Sequence, residues 1–274
     1  MGKCKILLLL IILIFTFGLA GCAPKGDPTK VLNNYYDSIK SQNAENAYAD
    51  LCEESKKDFN KSDFSKWLDV QSQVEILKNT KITKLNEYQN KKIGDTTYKN
   101  AVEFNIIENE HSNYDNKDAP VNYKRYVVND NGQWKIYREK ENSKETLLKA
   151  MNCLAWMYID GKGKDKDYNQ AASILNEAVK IYSKYNDIYY SLAYVYGALQ
   201  RYDESIEAAN KYLQSANDNK EKSDGYNVLG LDYESKKDYE KAKKYFDQAV
   251  QLNSNNQYAK TNLEQLNQLN SLLN

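Results

Sequence analysis

The sequence predicts an α+β domain, helices packed on an antiparallel sheet, followed by an all-α solenoid of repeated helical hairpins. Three observations carry this. Apolar residues keep a helical spacing up to Val74 and then alternate from Tyr98 to Arg138. The pattern of Ser223–Asn256 recurs upstream, its tyrosines at 158, 196 and 233 standing 38 and 37 residues apart. The last of 3 prolines is Pro120, which agrees with a helical second half.

The chain opens with Lys3 and Lys5, an apolar run Ile6–Phe17, and small residues up to Cys22. A basic end, a short apolar core and a small-residue cut site describe a secretory signal over residues 1–21. The run is too short and too soon broken for a membrane-spanning helix. Leu19-Ala20-Gly21-Cys22 resembles the bacterial lipobox. That resemblance implies a lipidated Cys22 as the mature N-terminus, anchored at the extracytoplasmic face of the cell membrane. Two acyl chains suffice for stable anchoring. Residues 22–27 then form a tether, in which Ala23–Asp27 reaches at most ~17 Å.

Residues 1–21 remove two lysines and no acid, leaving 36 basic against 38 acidic residues. That balance offers no electrostatic footprint for nucleic acid. Only Cys52 and Cys153 remain beyond Cys22, each within a helical apolar pattern, and they read as two buried thiols.

In the α+β domain, residues 28–140, Pro28-Thr29 opens a helix with Val31, Tyr35 and Ile39 on one face. Ala44, Ala47, Tyr48 and Leu51 form a second helix. Phe64, Trp67, Leu68 and Val74 form a third, with Ser62 as its expected N-cap. Tyr98, Val102, Phe104 and Ile106 then alternate, Tyr123–Asn129 is β-branched and aromatic, and Asn131-Gly132 signals a hairpin before Trp134, Ile136 and Arg138. Gly94, Pro120 and the polar stretch Asn109–Asp118 read as loops. Helices first and a meander ending in a tryptophan hairpin resemble the NTF2-like, or cystatin-like, fold, which implies a cone between helices and curved sheet.

The second half covers 141–274. Tyr226, Leu229, Gly230 and Tyr233, then Ala242, Phe246 and Ala249, resemble the tetratricopeptide repeat, with Tyr in the Trp slot. Tyr189, Leu192, Ala193 and Tyr196 repeat its first helix, as do Leu154, Ala155 and Tyr158. The hairpins span about 148–185, 186–222 and 223–256. Both spacings exceed the ~34 residues of the consensus. The first excess lies in Tyr158–Tyr168, whose glycine-containing turn resembles a Sel1-like repeat, and the second lies around Asn217–Lys222. Ala259, Leu263, Leu266, Leu269 and Leu273 form the stripe of a solvating cap helix.

Nothing points to catalysis. The alternating face from Tyr98 to Ile106 carries no aspartate or histidine, Glu103 falls on the opposite face, and the sole histidine, His111, sits in a polar stretch. No metal site is expected from one histidine and two thiols without C-x-x-C. Lysines occupy the acidic Asp160–Asp167 loop where calcium would need oxygens. No phosphate-binding loop or nucleophile motif occurs, so no cofactor is expected.

The tetratricopeptide resemblance implies a concave groove lined by the first helices. On this chain those positions are Asn152, Trp156, Tyr190, Tyr194, Asn227 and Leu231. Only Lys149 is basic nearby, which does not meet the carboxylate-clamp pattern of chaperone-binding members. The reading is therefore a membrane-anchored lipoprotein scaffold that docks another envelope or secreted protein, or a peptide segment of one. The alternative is small-ligand binding or isomerase-like chemistry in the cone, with the repeats recruiting partners. A polar or acidic cone lining favours that alternative.

Overall fold

The computed structural model describes residues 24–57, 59–138 and 143–273. The signal segment and Cys22 lie outside them. Among the described residues no helix is long and apolar enough to cross a membrane.

Four helices come first: α1 (Pro28–Lys40), α2 (Ala44–Ala49), the short α3 (Glu53–Lys56) and α4 (Lys61–Val74). Asp27 caps α1, its carboxylate accepting from the Thr29 amide at 2.8 Å. The buried face of α1 is Leu32, Tyr35 and Tyr36, with Val31 and Ile39 at its margins. Asn60, not Ser62, caps α4, because its side chain reaches the Asp63 amide at 2.9 Å. The C-terminal carbonyls of α4 are satisfied from across the sheet: Asn113 gives its amide to Val74 and its side chain to Gln73.

The sheet is an antiparallel meander in sequence order, β1 (Glu75–Ile93), β2 (Thr96–Ser112), β3 (Lys117–Asp130) and β4 (Gln133–Tyr137). Register shifts at Leu77/Asn79 and Lys84/Asn86 mark bulges, the usual means of bending a sheet. Gly94 turns β1 into β2 with φ of 58°. Two expected loops are strand. Asn109–Asp118 is mostly taken up by the ends of β2 and β3, and Pro120 sits in β3 opposite Asn109. These long strands project a polar ladder that carries no buried-face signature. At the edge of β4, Cys52 donates its amide to Ile136 and Ile136 donates to Asp50, which covers the free edge. Cys52 and Cys153 are free thiols, the first buried and the second half-buried. Between α1, α4 and the inward sheet face lies a cavity of about 550 Å³.

Seven helices follow: α5 (Ser143–Asp160), α6 (Tyr168–Ile181), α7 (Asn186–Ala198), α8 (Tyr202–Ser215), α9 (Asn219–Ser235), α10 (Tyr239–Leu252) and α11 (Gln257–Leu273). In the hairpin of α9 and α10 a Cβ on Gly230 would stand 2.4 Å from the Phe246 ring, so glycine sets the approach of the two helices. Ala242, Phe246 and Ala249 are fully buried beneath it, and Ala259 and Leu266 of α11 close that end.

Both sequence excesses have a structural use. The second lengthens α9 by a turn, started by Asp218 accepting from the Glu221 amide while Glu221 accepts from Asn217. The first docks the repeats on the sheet. Gly163, at φ of 69°, presses on the Asn113 carbonyl, where a Cβ would come within 2.3 Å. Around it Tyr114 bonds Asp160, Lys164 reaches Gln73 at 3.3 Å, and Lys162 covers the Tyr114 ring. Lys66 of α4 pairs with Glu177 of α6. Beneath these contacts one apolar core continues from Leu32, Phe64 and Phe104 through Leu147, Leu148 and Met151 to Leu192 and Leu229.

Candidate functional site

The residues expected to line a groove stand on α5, α7 and α9, which pack in succession with α11 against α9. Asn152 and Trp156 stand one turn apart on α5, within reach of α7. Trp156 Nε1 donates to Ser191 Oγ at 2.9 Å, and Ser191 donates in turn to Asn152 Oδ1 at 2.7 Å. Ser191 is only 1% exposed, so this relay satisfies a hydroxyl that would be costly to bury alone. It also fixes the indole, whose ring meets Tyr194 at 5.4 Å between centroids. Tyr194 keeps 42% of its surface exposed.

Tyr190, one turn earlier, packs on Tyr212 of α8 at 5.3 Å and is half-buried. Burial pushes its hydroxyl up to about 12, and that of Tyr194 upward as well. Trp156 and Tyr194 are thus brought together as a pair, while Tyr190 also fills the seam between α7 and α8. Asn227 accepts from Asn262 Nδ2 of α11 at 2.8 Å, and Leu231 is 39% exposed. The amide oxygens of Asn152 and Asn227 serve helix-to-helix bonds.

Tyr258 on α11, 80% exposed, lies within electrostatic reach of Tyr190 and Tyr194. Ser191, Tyr258 and Asn262 were not among the residues expected from the sequence. The signal for the last was present: Asn262 and Leu266 follow Asn227 and Leu231 by 35 residues, so the cap helix repeats the first-helix pattern. Among the described residues no grouping of His, Cys, Asp and Glu is set to hold a metal. His111, in β2, is paired with Asp118 at 2.6 Å.

The tetratricopeptide repeat family model matches residues 187–219 and again residues 223–256. No curated protein matches the chain. Solved structures similar to it include the TPR domain of Arabidopsis OM64, at 20% identity and TM-score 0.40, covering 45% of this chain and 96% of that one. The Sgt2 TPR domain from Aspergillus fumigatus has 19% identity and TM-score 0.40, covering 45% and 79%. The first TPR domain of human RPAP3 has 18% identity and TM-score 0.37, covering 46% and 91%. The C-terminal region of this chain, at residues 187–219 and 223–256, is built of tetratricopeptide repeats.

Proposed function

We propose that this chain is a protein-interaction scaffold whose groove, lined by Asn152, Trp156, Tyr190, Tyr194, Asn227 and Leu231, takes an extended or helical segment of another envelope or secreted protein. One observation carries the proposal. Trp156 is locked by Ser191 against Tyr194, and the exposed apolar surfaces of Tyr194, Leu231 and Tyr258 belong to the groove helices α7, α9 and α11. Aromatic anchors fixed before binding lose little entropy on association. The partner expected is one with Leu, Ile or aromatic anchors, held with little dependence on salt.

The lipobox-like ending supports a lipid anchor at Cys22, which places the scaffold at the extracytoplasmic membrane face. Four helices preceding a four-stranded meander, with a cavity between them, support an NTF2-like module over residues 28–140 as a spacer or second binding unit. The groove and the membrane anchor need no catalytic group and no nucleic acid.

Affinity capture from solubilised membranes, followed by titration of the captured segment, tests the groove. Tyr194→Ala is expected to weaken binding about 30-fold, or ~2 kcal/mol, at an unchanged unfolding midpoint. A midpoint that falls with binding would make the ring part of the core and remove the support for the groove.

A further inference from the structure

The cavity between the helices and the sheet holds an unbalanced set of polar groups. Trp67 Nε1, Arg125 Nε and Arg138 Nη1 are all buried without a hydrogen-bond partner, all three residues line this cavity, and all three groups are donors. Buried donors left unpaired are costly, and three in one cavity call for an acceptor that the described residues do not supply.

Charge leads to the same ligand. Arg125 Nη2 donates to the Tyr123 hydroxyl at 3.1 Å, and that hydroxyl bonds Glu108, so Arg125 has a carboxylate one tyrosine away. Burial and the neighbouring Glu108 and Glu75 push Glu110 up to about 8, so it adds little negative charge to the cavity at neutral pH. Burial also raises Glu75, which accepts from Gln71. Among the described residues Arg138 has no such counterpart. Its guanidinium stacks on Trp67 at 4.2 Å with the Phe59 and Phe64 rings at 5.3 and 5.8 Å. No hydrogen bond or ion pair of its side chain occurs among the described residues. Arginine stays charged when buried, and among the described residues no anion balances this one.

We propose that this cavity binds an organic carboxylate, its oxygens on the free N–H groups of Arg138, Arg125 and Trp67 and its apolar body along the cavity wall. Two arginines lining one cavity, each with a buried N–H left unpaired, suit a planar two-oxygen group. The volume, about 550 Å³, is that of a small-molecule site. Leu68 and Leu77 line its apolar side, and Thr146 of α5 adds a wall from the helical half.

The test uses the full-length protein in detergent, with three carboxylates as probes (benzoate, octanoate and indole-3-acetate) and their uncharged amides as controls. At about a hundredfold excess over Kd, at least one carboxylate is expected to raise the unfolding midpoint by about 5–10 °C and its amide to have no effect. Arg138→Met is expected to raise the midpoint of the ligand-free protein, because it removes an unpaired buried charge, and to weaken the carboxylate about 30-fold or more. Amides that bind as well as carboxylates, or six probes without effect at millimolar concentration, would overturn the inference. The wild-type comparison decides even if the variant does not fold.

Discussion

Asp232 of α9 lies 2.6 Å from the Ser205 hydroxyl of α8, and that hydroxyl is also 2.7 Å from the Ala193 carbonyl of α7. One hydroxyl proton cannot serve two acceptors. The arrangement closes if Asp232 is protonated and donates to Ser205, which then donates to Ala193. Burial agrees: with only 2% of its surface exposed, Asp232 is pushed from 3.8 up to about 7, against the opposing pull of Ser205 and Lys236.

Between about pH 4 and pH 7 the folded chain keeps a proton that the unfolded chain has released, so stability falls as pH rises and levels off above pH 7. Asp232→Asn can donate to Ser205 without charge. Its stability is expected to match wild type near pH 4 and to exceed it by roughly 2–4 kcal/mol at pH 8. Denaturant unfolding at the two pH values measures this, and an Asn variant less stable at pH 8 would show the carboxylate to be needed.

Docking of the repeats on the sheet rests on Gly163. Gly163→Ala combines positive-φ strain with a clash against the Asn113 carbonyl, whereas Gly132→Ala, at φ of 82° with open space around it, carries strain alone. Strain costs about 1 kcal/mol, so Gly132→Ala sets the baseline. Gly163→Ala is expected to cost about 2 kcal/mol more and to speed hydrogen exchange at residues 113–114 and 161–164. Equal losses in the two variants would mean that the turn does not hold the halves together.

Cys22→Ser tests the anchor. Mass spectrometry is expected to find a diacylglyceryl group on wild-type Cys22, and the Ser variant is expected to leave the membrane fraction or remain unprocessed. A wild-type product cleaved elsewhere and soluble would end the lipoprotein proposal.

The repeats were legible because their helices bury a small set of residues at fixed spacing, as Gly230 and Phe246 do. The first strand was not: over Glu75–Ile93 only Ile93 is buried, so no alternation survives in the sequence. A cone was expected from the order of helices and strands, but the basic lining of the cavity was legible in one residue only. Ile136 and Arg138 share a face, and a cation at a core-facing position is the signal that something there must receive it. The relay of Trp156, Ser191 and Asn152 joins helices whose stacking offset no spacing rule supplies.

The most direct measurement is site-specific photocrosslinking in intact membranes, with the reactive side chain placed in turn at Tyr194, at Leu231 and, as a control, at exposed Lys244 on α10. A scaffold that binds through its groove gives one discrete protein adduct from positions 194 and 231, mapping to an apolar segment of the same partner, and none from 244. No discrete adduct at 194 and 231, or the same adducts at 244, would contradict it.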